Sequence, residues 1–205
     1  RFENSIENNK ISLEDYIKLM AKNQKEIYYF ANTDKEHIKN SPQLEVFKDK
    51  KIPVLFMTDA VDEFWLQNIG KYKEIDFKSI TKGKVNLSNI GDKKEFDKEK
   101  STKNKDNNIN NLVNLLKNEL KDKISNVVIS DRLTKSPVLL LAEESGMDIN
   151  MEKLMKMHNQ KTPDSKKILE INANHPMILK ISENINNFDH KIISHVLYDQ
   201  ANILD

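Results

Sequence analysis

The sequence predicts an α/β unit followed by an α+β unit, and three observations carry that reading. Through residues 1–90, short apolar runs rich in aromatic and β-branched residues alternate with stretches of helical periodicity, the order of a small three-layer parallel βαβαβ unit. Residues 91–108 are mostly Lys, Asp, Glu, Asn, Ser and Thr, with Phe96 the sole large apolar residue, which predicts a linker or a solvated helix. Residues 109–205 return to apolar residues at helical spacing around two strand-like runs.

The elements follow in order. Ser12 with Asp15 three residues on marks a helix start, and Leu13, Tyr16, Ile17 and Met20 supply its apolar face. Ile27-Tyr28-Tyr29-Phe30 predicts a strand. A helical stretch opens at Thr33 or Asp34, and Ser41-Pro42 restarts it. Ile52-Pro53-Val54-Leu55-Phe56-Met57 is a nearly continuous apolar run, as in a strand buried on both faces. A helix is expected from about Val61 to Tyr72 and a third strand from Phe77 to Ile80. In the second half, Ile109, Leu112, Val113, Leu116, Leu120 and Ile124 keep helical spacing. Val127–Ile129 and Val138–Leu141 are strands, Lys166 to Ile171 is read as helical, His175-Pro176 opens another helix, and Asp189 caps the last.

Composition narrows the function. Lys and Arg total 33 against 32 Asp and Glu, a net charge of +1, so no basic excess points to nucleic acid or an acidic membrane. Cysteine is absent, which removes disulfides and zinc–thiolate sites and fits a reducing, cytoplasmic setting. No apolar run approaches the roughly 20 residues of a membrane span. Arg1-Phe2-Glu3-Asn4 shows neither a signal pattern nor an initiator Met, which predicts a fragment or a processed chain.

Catalytic signals are sparse. The four glycines form no phosphate-cradling loop, so nucleotide binding by this stretch is not expected. Asp59, Asp62 and Glu63 follow a buried strand; they suit helix capping, or alternatively a magnesium-dependent or receiver-like phospho-acceptor site. None of the five histidines has the i,i+4 spacing of a helical metal pair, and no metal site is expected. Arg132 is read as a structural ion pair, with Asp131 adjacent.

Four of the seven methionines fall between Gly146 and His158. Met147, Met151, Leu154 and Met155 share one helical face, with Ile149 off it as the apolar exception. By periodicity such a stripe is core. A methionine face is also able to remould itself around different partners.

Several stretches together resemble one family. Gln24-Lys25-Glu26-Ile27-Tyr28-Tyr29 and the run from Ile52 to Phe64 resemble the late middle domain of the ninety-kilodalton heat-shock chaperones, bacterial type. Arg132-Leu133-Thr134-Lys135-Ser136-Pro137 and Leu169-Glu170-Ile171-Asn172-Ala173-Asn174-His175-Pro176 resemble that family's carboxy-terminal domain. The resemblance implies a homodimeric, ATP-dependent stress-response chaperone of the cytoplasm, with this chain supplying the end of the middle domain (1–90), a linker (91–108) and the carboxy-terminal dimerisation domain (109–205). It implies no catalytic residue or cofactor in this stretch, ATP and Mg being bound elsewhere in the longer protein. The implied partners are partly folded client proteins and a second copy of the chain, without nucleic acid or membrane. Clients would be met at Glu63, Phe64 and Trp65, with Trp65 one position later than the family's Trp, and on an exposed helix bearing Met147, Met151, Leu154 and Met155. The resemblance redirects that methionine stripe from core to surface. Dimerisation would use the last helix, through Ile192, Ile193, Val196, Leu197 and Leu204, the family's final helix lying beyond Asp205.

Overall fold

The structure, a computed structural model, describes residues 1–205 except 8, 60, 63–65, 67–68, 86, 88–89, 91–102, 158, 160–164 and 205; the side chains of 103–105, 154 and 157 are also left out. The chain is a mixed α/β protein with two sheets and, among the described residues, seven α-helices. It forms two compact units, one of residues 1–94 and 147–162, the other of 95–146 and 163–205. The methionine stretch thus groups with the first unit, where its place in the sequence had put it in the second.

In the first unit a five-stranded sheet is built from β1 (Glu3–Asn4), β2 (Glu26–Ala31), β3 (Leu55–Met57), β4 (Lys71–Tyr72) and β5 (Ile75–Ser79), in the order β1-β3-β2-β5-β4. The three longer strands are parallel, β2 lying between β3 and β5, and the two short outer strands are antiparallel. Alternation along β2 explains its apolar content. Tyr28 and Phe30 join a core with Ile38, Leu44, Phe47 and Ile52, while Ile27 and Ala31 join one with Tyr16, Leu55 and Met57. The first core is closed by α2 (Lys35–Asn40) and α3 (Glu45–Asp49), the second by α1 (Leu13–Leu19).

Ser12 and Asp15 form the predicted reciprocal cap: the Ser12 hydroxyl accepts from the Asp15 N–H, and the Asp15 carboxylate accepts from the Ser12 N–H. That start sets Tyr16 inward. Its hydroxyl donates to the Pro53 carbonyl at 2.8 Å and accepts from the Gln24 side chain and the Tyr28 N–H, each at 2.9 Å. Burial pushes the phenol's pKa well above its ordinary value, so it remains a neutral donor. Tyr16→Phe would leave three buried polar groups short of a partner. Urea unfolding is expected to show a loss of about 1–3 kcal/mol with an unchanged m-value.

One expected element ends early in this unit. The helix expected to reach Tyr72 stops at Gly70, whose φ is +62°, and Lys71–Tyr72 is instead β4. Lys73 and Glu74, at φ of +48° and +65°, form the two-residue turn that pairs Tyr72 with Ile75. The turn was hidden because neither residue is one of the usual formers of that conformation.

The second unit opens with α4 (Lys103–Glu119), so the charged segment is helical from Lys103, before the expected start at Ile109. Ile109, Leu112 and Leu116 form its buried face, which Leu120 just past its end continues. Ile124, expected to continue that helix, begins β6 (Ile124–Ile129). With β7 (Val138–Leu141) and β8 (Lys167–Ile171) it makes a sheet of order β6-β8-β7, β8 parallel to β6 and antiparallel to β7. Lys167–Ile171 is therefore a strand, correcting the helical reading of Lys166 to Ile171. It is the central strand, and pairing on both edges overrides a weak local preference. Helices α6 (Pro176–Glu183) and α7 (His190–Ile203) pack with α4, and α7 also meets β7. His175 caps α6 through Nδ1, which accepts from the Met177 N–H, and the Asp189 carboxylate caps α7 by accepting from the Ile192 N–H.

Candidate interaction surfaces

The two motifs of the second unit are pinned to each other. The Arg132 guanidinium meets the Glu170 carboxylate, Nε to Oε2, at 3.3 Å, and both side chains are almost fully buried. The Ser130 hydroxyl donates to the same carboxylate at 2.6 Å and accepts from the Arg132 and Leu133 N–H groups. Asn172 donates to the Pro137 carbonyl through its N–H and to the Ser136 carbonyl through its amide. Arg132 is thus in a structural ion pair, as its sequence reading held, and Glu170, not adjacent in sequence, is a partner. The partner lies 38 positions away in sequence, from 132 to 170, and only the β8 pairing brings it close.

The acidic group after β3 resolves in part. Asp62 is buried, and its carboxylate accepts from the Asp59 N–H at 3.1 Å, while the Asp62 N–H donates back to the Asp59 carbonyl. This is local bonding at a helix start. Among the described residues no group of three or more His, Cys, Asp and Glu is placed to hold a metal ion. Glu63, Phe64 and Trp65 lie outside the described residues. Around them, Val61 and Ile69 are exposed and Leu66 is buried in the second core of the first unit.

The methionine stretch folds as α5 (Ile149–Met157). Asp148 starts it: Oδ1 accepts from the Asn150 N–H at 3.0 Å, and its carbonyl accepts from the Glu152 N–H. Met147 and Met155 are half-buried, and the Leu154 side chain lies outside the described residues. Met151 is only 7% exposed. Ile149, set apart in the sequence as the apolar exception, is 1% exposed and the most deeply buried apolar residue described on the helix. Glu152 is also buried and pairs one turn on with Lys156. The helix therefore buries Ile149 and Glu152 from its other side as well as Met151, and leaves Met147 and Met155 partly open.

On α7, Leu197 is fully buried with Ser194 and Ala201, facing the second unit's interior. Ile192 is 64% exposed, Val196 51% and Ile203 81%. At positions i, i+4 and i+11 these three share one face. Ile193 and Leu204 are half-buried at its side. Ile203 was missed in the sequence, although its seven-residue step from Val196 keeps it on that face. Among the described residues no helix is long and apolar enough to cross a membrane.

Two compact units of mixed helix and strand carry a methionine-rich helix and a terminal helix with three exposed apolar side chains on one face. Residues 1–204 match the model of the family described as Hsp90 protein. Among curated relatives, "Chaperone protein HtpG" of Roseobacter denitrificans is 38% identical over 211 residues, covering 100% of this chain and 34% of the relative. The HtpG of Orientia tsutsugamushi is 37% identical, again covering 100% and 34%. That of Ruthia magnifica is 41% identical, covering 93% of this chain and 29% of the relative. The chain belongs to the Hsp90 family, and it spans about a third of the length of the curated relatives it matches.

Proposed function

We propose that this chain is the client-binding and dimerising portion of an HtpG-type chaperone, working by binding rather than by catalysis. Residues 1–90, with three parallel strands flanked by two short antiparallel ones, correspond to the end of the middle domain, and residues 109–205 to the carboxy-terminal dimerisation domain. ATP binding and hydrolysis belong to the remainder of the longer protein, whose motions would change the spacing of the surfaces described here. The carrying observation is the family match across residues 1–204, with the same family's members named as chaperones. The partly open methionines support a client surface, because an unbranched, polarizable side chain adapts to varied apolar segments. The exposed apolar face of α7 supports self-association, since apolar area left in water forgoes roughly 25 cal/mol per Å². Glu63, Phe64 and Trp65 form the second proposed client contact, flanked by exposed Val61 and Ile69.

Met147 and Met155 are the residues to change, because Met151 is needed for packing. Met147→Ser with Met155→Ser is expected to raise, about five- to thirtyfold, the chain concentration that halves aggregation of an unfolded client, each lost apolar contact being worth about 0.5–1 kcal/mol. Light scattering of a heat-denatured client measures this. A folded double variant that protects as well as the parent would show that this face is not the client surface.

A further inference from the structure

Asp148 divides its carboxylate between two tasks. Oδ1 starts α5 by accepting from the Asn150 N–H. Oδ2 accepts from two hydroxyls at the end of β5, from Ser79 at 2.8 Å and from Thr81. These hydroxyls are 2.7 Å apart and both residues are buried. Beside them the Asn32 side chain donates to the Asn150 side chain at 2.8 Å. All of these groups lie within the first compact unit, although the chain on either side of 147–162 belongs to the second. These polar contacts, among the described residues, tie the start of α5 to the end of β5, and the same helix buries Ile149 and Met151.

We infer that Ser79, Thr81 and Asp148 form a latch that holds α5 in its seat, and that release of the latch exposes Ile149 and Met151 to an unfolded polypeptide. The inference rests on the client-binding reading above and adds a regulation to it: docking of α5 competes with client. Opening returns each polar group of the latch to water, so its remaining cost is the exposure of Ile149 and Met151, which a bound apolar segment would offset. The bound segment would be apolar and extended or helical, since it replaces the contacts that Ile149 and Met151 make when docked. The device separates docking from helix formation, because the Oδ1 cap survives when Oδ2 loses its donors.

Ser79→Ala with Thr81→Ala removes both donors and leaves the cap. Hydrogen exchange of the amides of residues 150–157 is expected to quicken by at least roughly tenfold, and affinity for a fluorescent unfolded client to rise by a similar factor, as for loss of a hydrogen bond to a charged group. Unchanged exchange overturns the latch. Faster exchange with unchanged affinity overturns the competition. Failure of the parent itself to bind client speaks against the client-binding reading alone, and the exchange arm still decides the latch. Should the double variant not fold, Thr81→Cys with Asp148→Cys gives the opposite test in a chain that has no other cysteine. Oxidised, it should exchange more slowly in α5 and bind client less well, with both effects reversed by a reductant. An oxidised form that binds client as well as the reduced form overturns the inference.

Discussion

Replacing Arg132 by methionine is expected to cost about 3–5 kcal/mol of stability, enough to unfold much of the second unit at physiological temperature. The cause is the carboxylate left behind. Glu170 sits on the central strand, almost fully buried, with the Arg132 guanidinium and the Ser130 hydroxyl against it. Without the guanidinium, a charge stays in a low-dielectric site or a proton must be taken up. Ser130 cannot compensate, because its oxygen already accepts from the Arg132 and Leu133 N–H groups while its one proton goes to Glu170. The paired change, Arg132→Met with Glu170→Met, is expected to recover most of the loss, since two apolar side chains of similar length need no partner. Denaturant unfolding of the parent, both single variants and the pair measures the coupling. Additive single effects would show that the two residues do not act together.

The second large effect is expected at the outer face of α7. Ile192→Asp with Val196→Asp replaces two exposed apolar side chains on the face they share with Ile203, away from buried Leu197. In a two-fold interface each substitution appears twice. A central contact is worth about 2 kcal/mol or more, so the dissociation constant should rise by well over roughly thirtyfold. Sedimentation equilibrium across a concentration series is expected to show self-association in the parent and monomer in the variant, with identical circular dichroism. Leu197→Asp is the contrasting case. That side chain is fully buried, so the change should abolish folding before it reports on assembly.

The difference between these residues marks how far the sequence could be read. Helical spacing put Ile192, Val196 and Leu197 on one terminal helix, and Asp189 fixed where it begins. Periodicity alone could not say which side of that helix meets the second unit, because both sides carry apolar residues. The same ambiguity governed α5. The methionine stripe was plain, yet Ile149 on the other side proved the deeper anchor, and the polar contacts that seat the helix come from Asn32, Ser79 and Thr81, far away in sequence. Caps were legible because a single side chain satisfies an amide two or three residues away, as with Ser12, His175 and Asp189. The strand Lys167–Ile171 was not, because five residues with three apolar positions fit either period until their partners on β6 and β7 are known. The two motifs that suggested the family in the second unit carry its architecture. Arg132 and Glu170, with Pro137 and Asn172, hold one loop to one strand.

In the proposed function the open side of α5 meets unfolded polypeptide. A photo-reactive amino acid at position 155, activated in the presence of a permanently unfolded client, tests it most directly. The expected result is a cross-link to the client that grows with client concentration, disappears when the client is folded, and far exceeds that from the same group at exposed Lys117. Equal, weak labelling from positions 155 and 117 would mean that this side of α5 does not meet client.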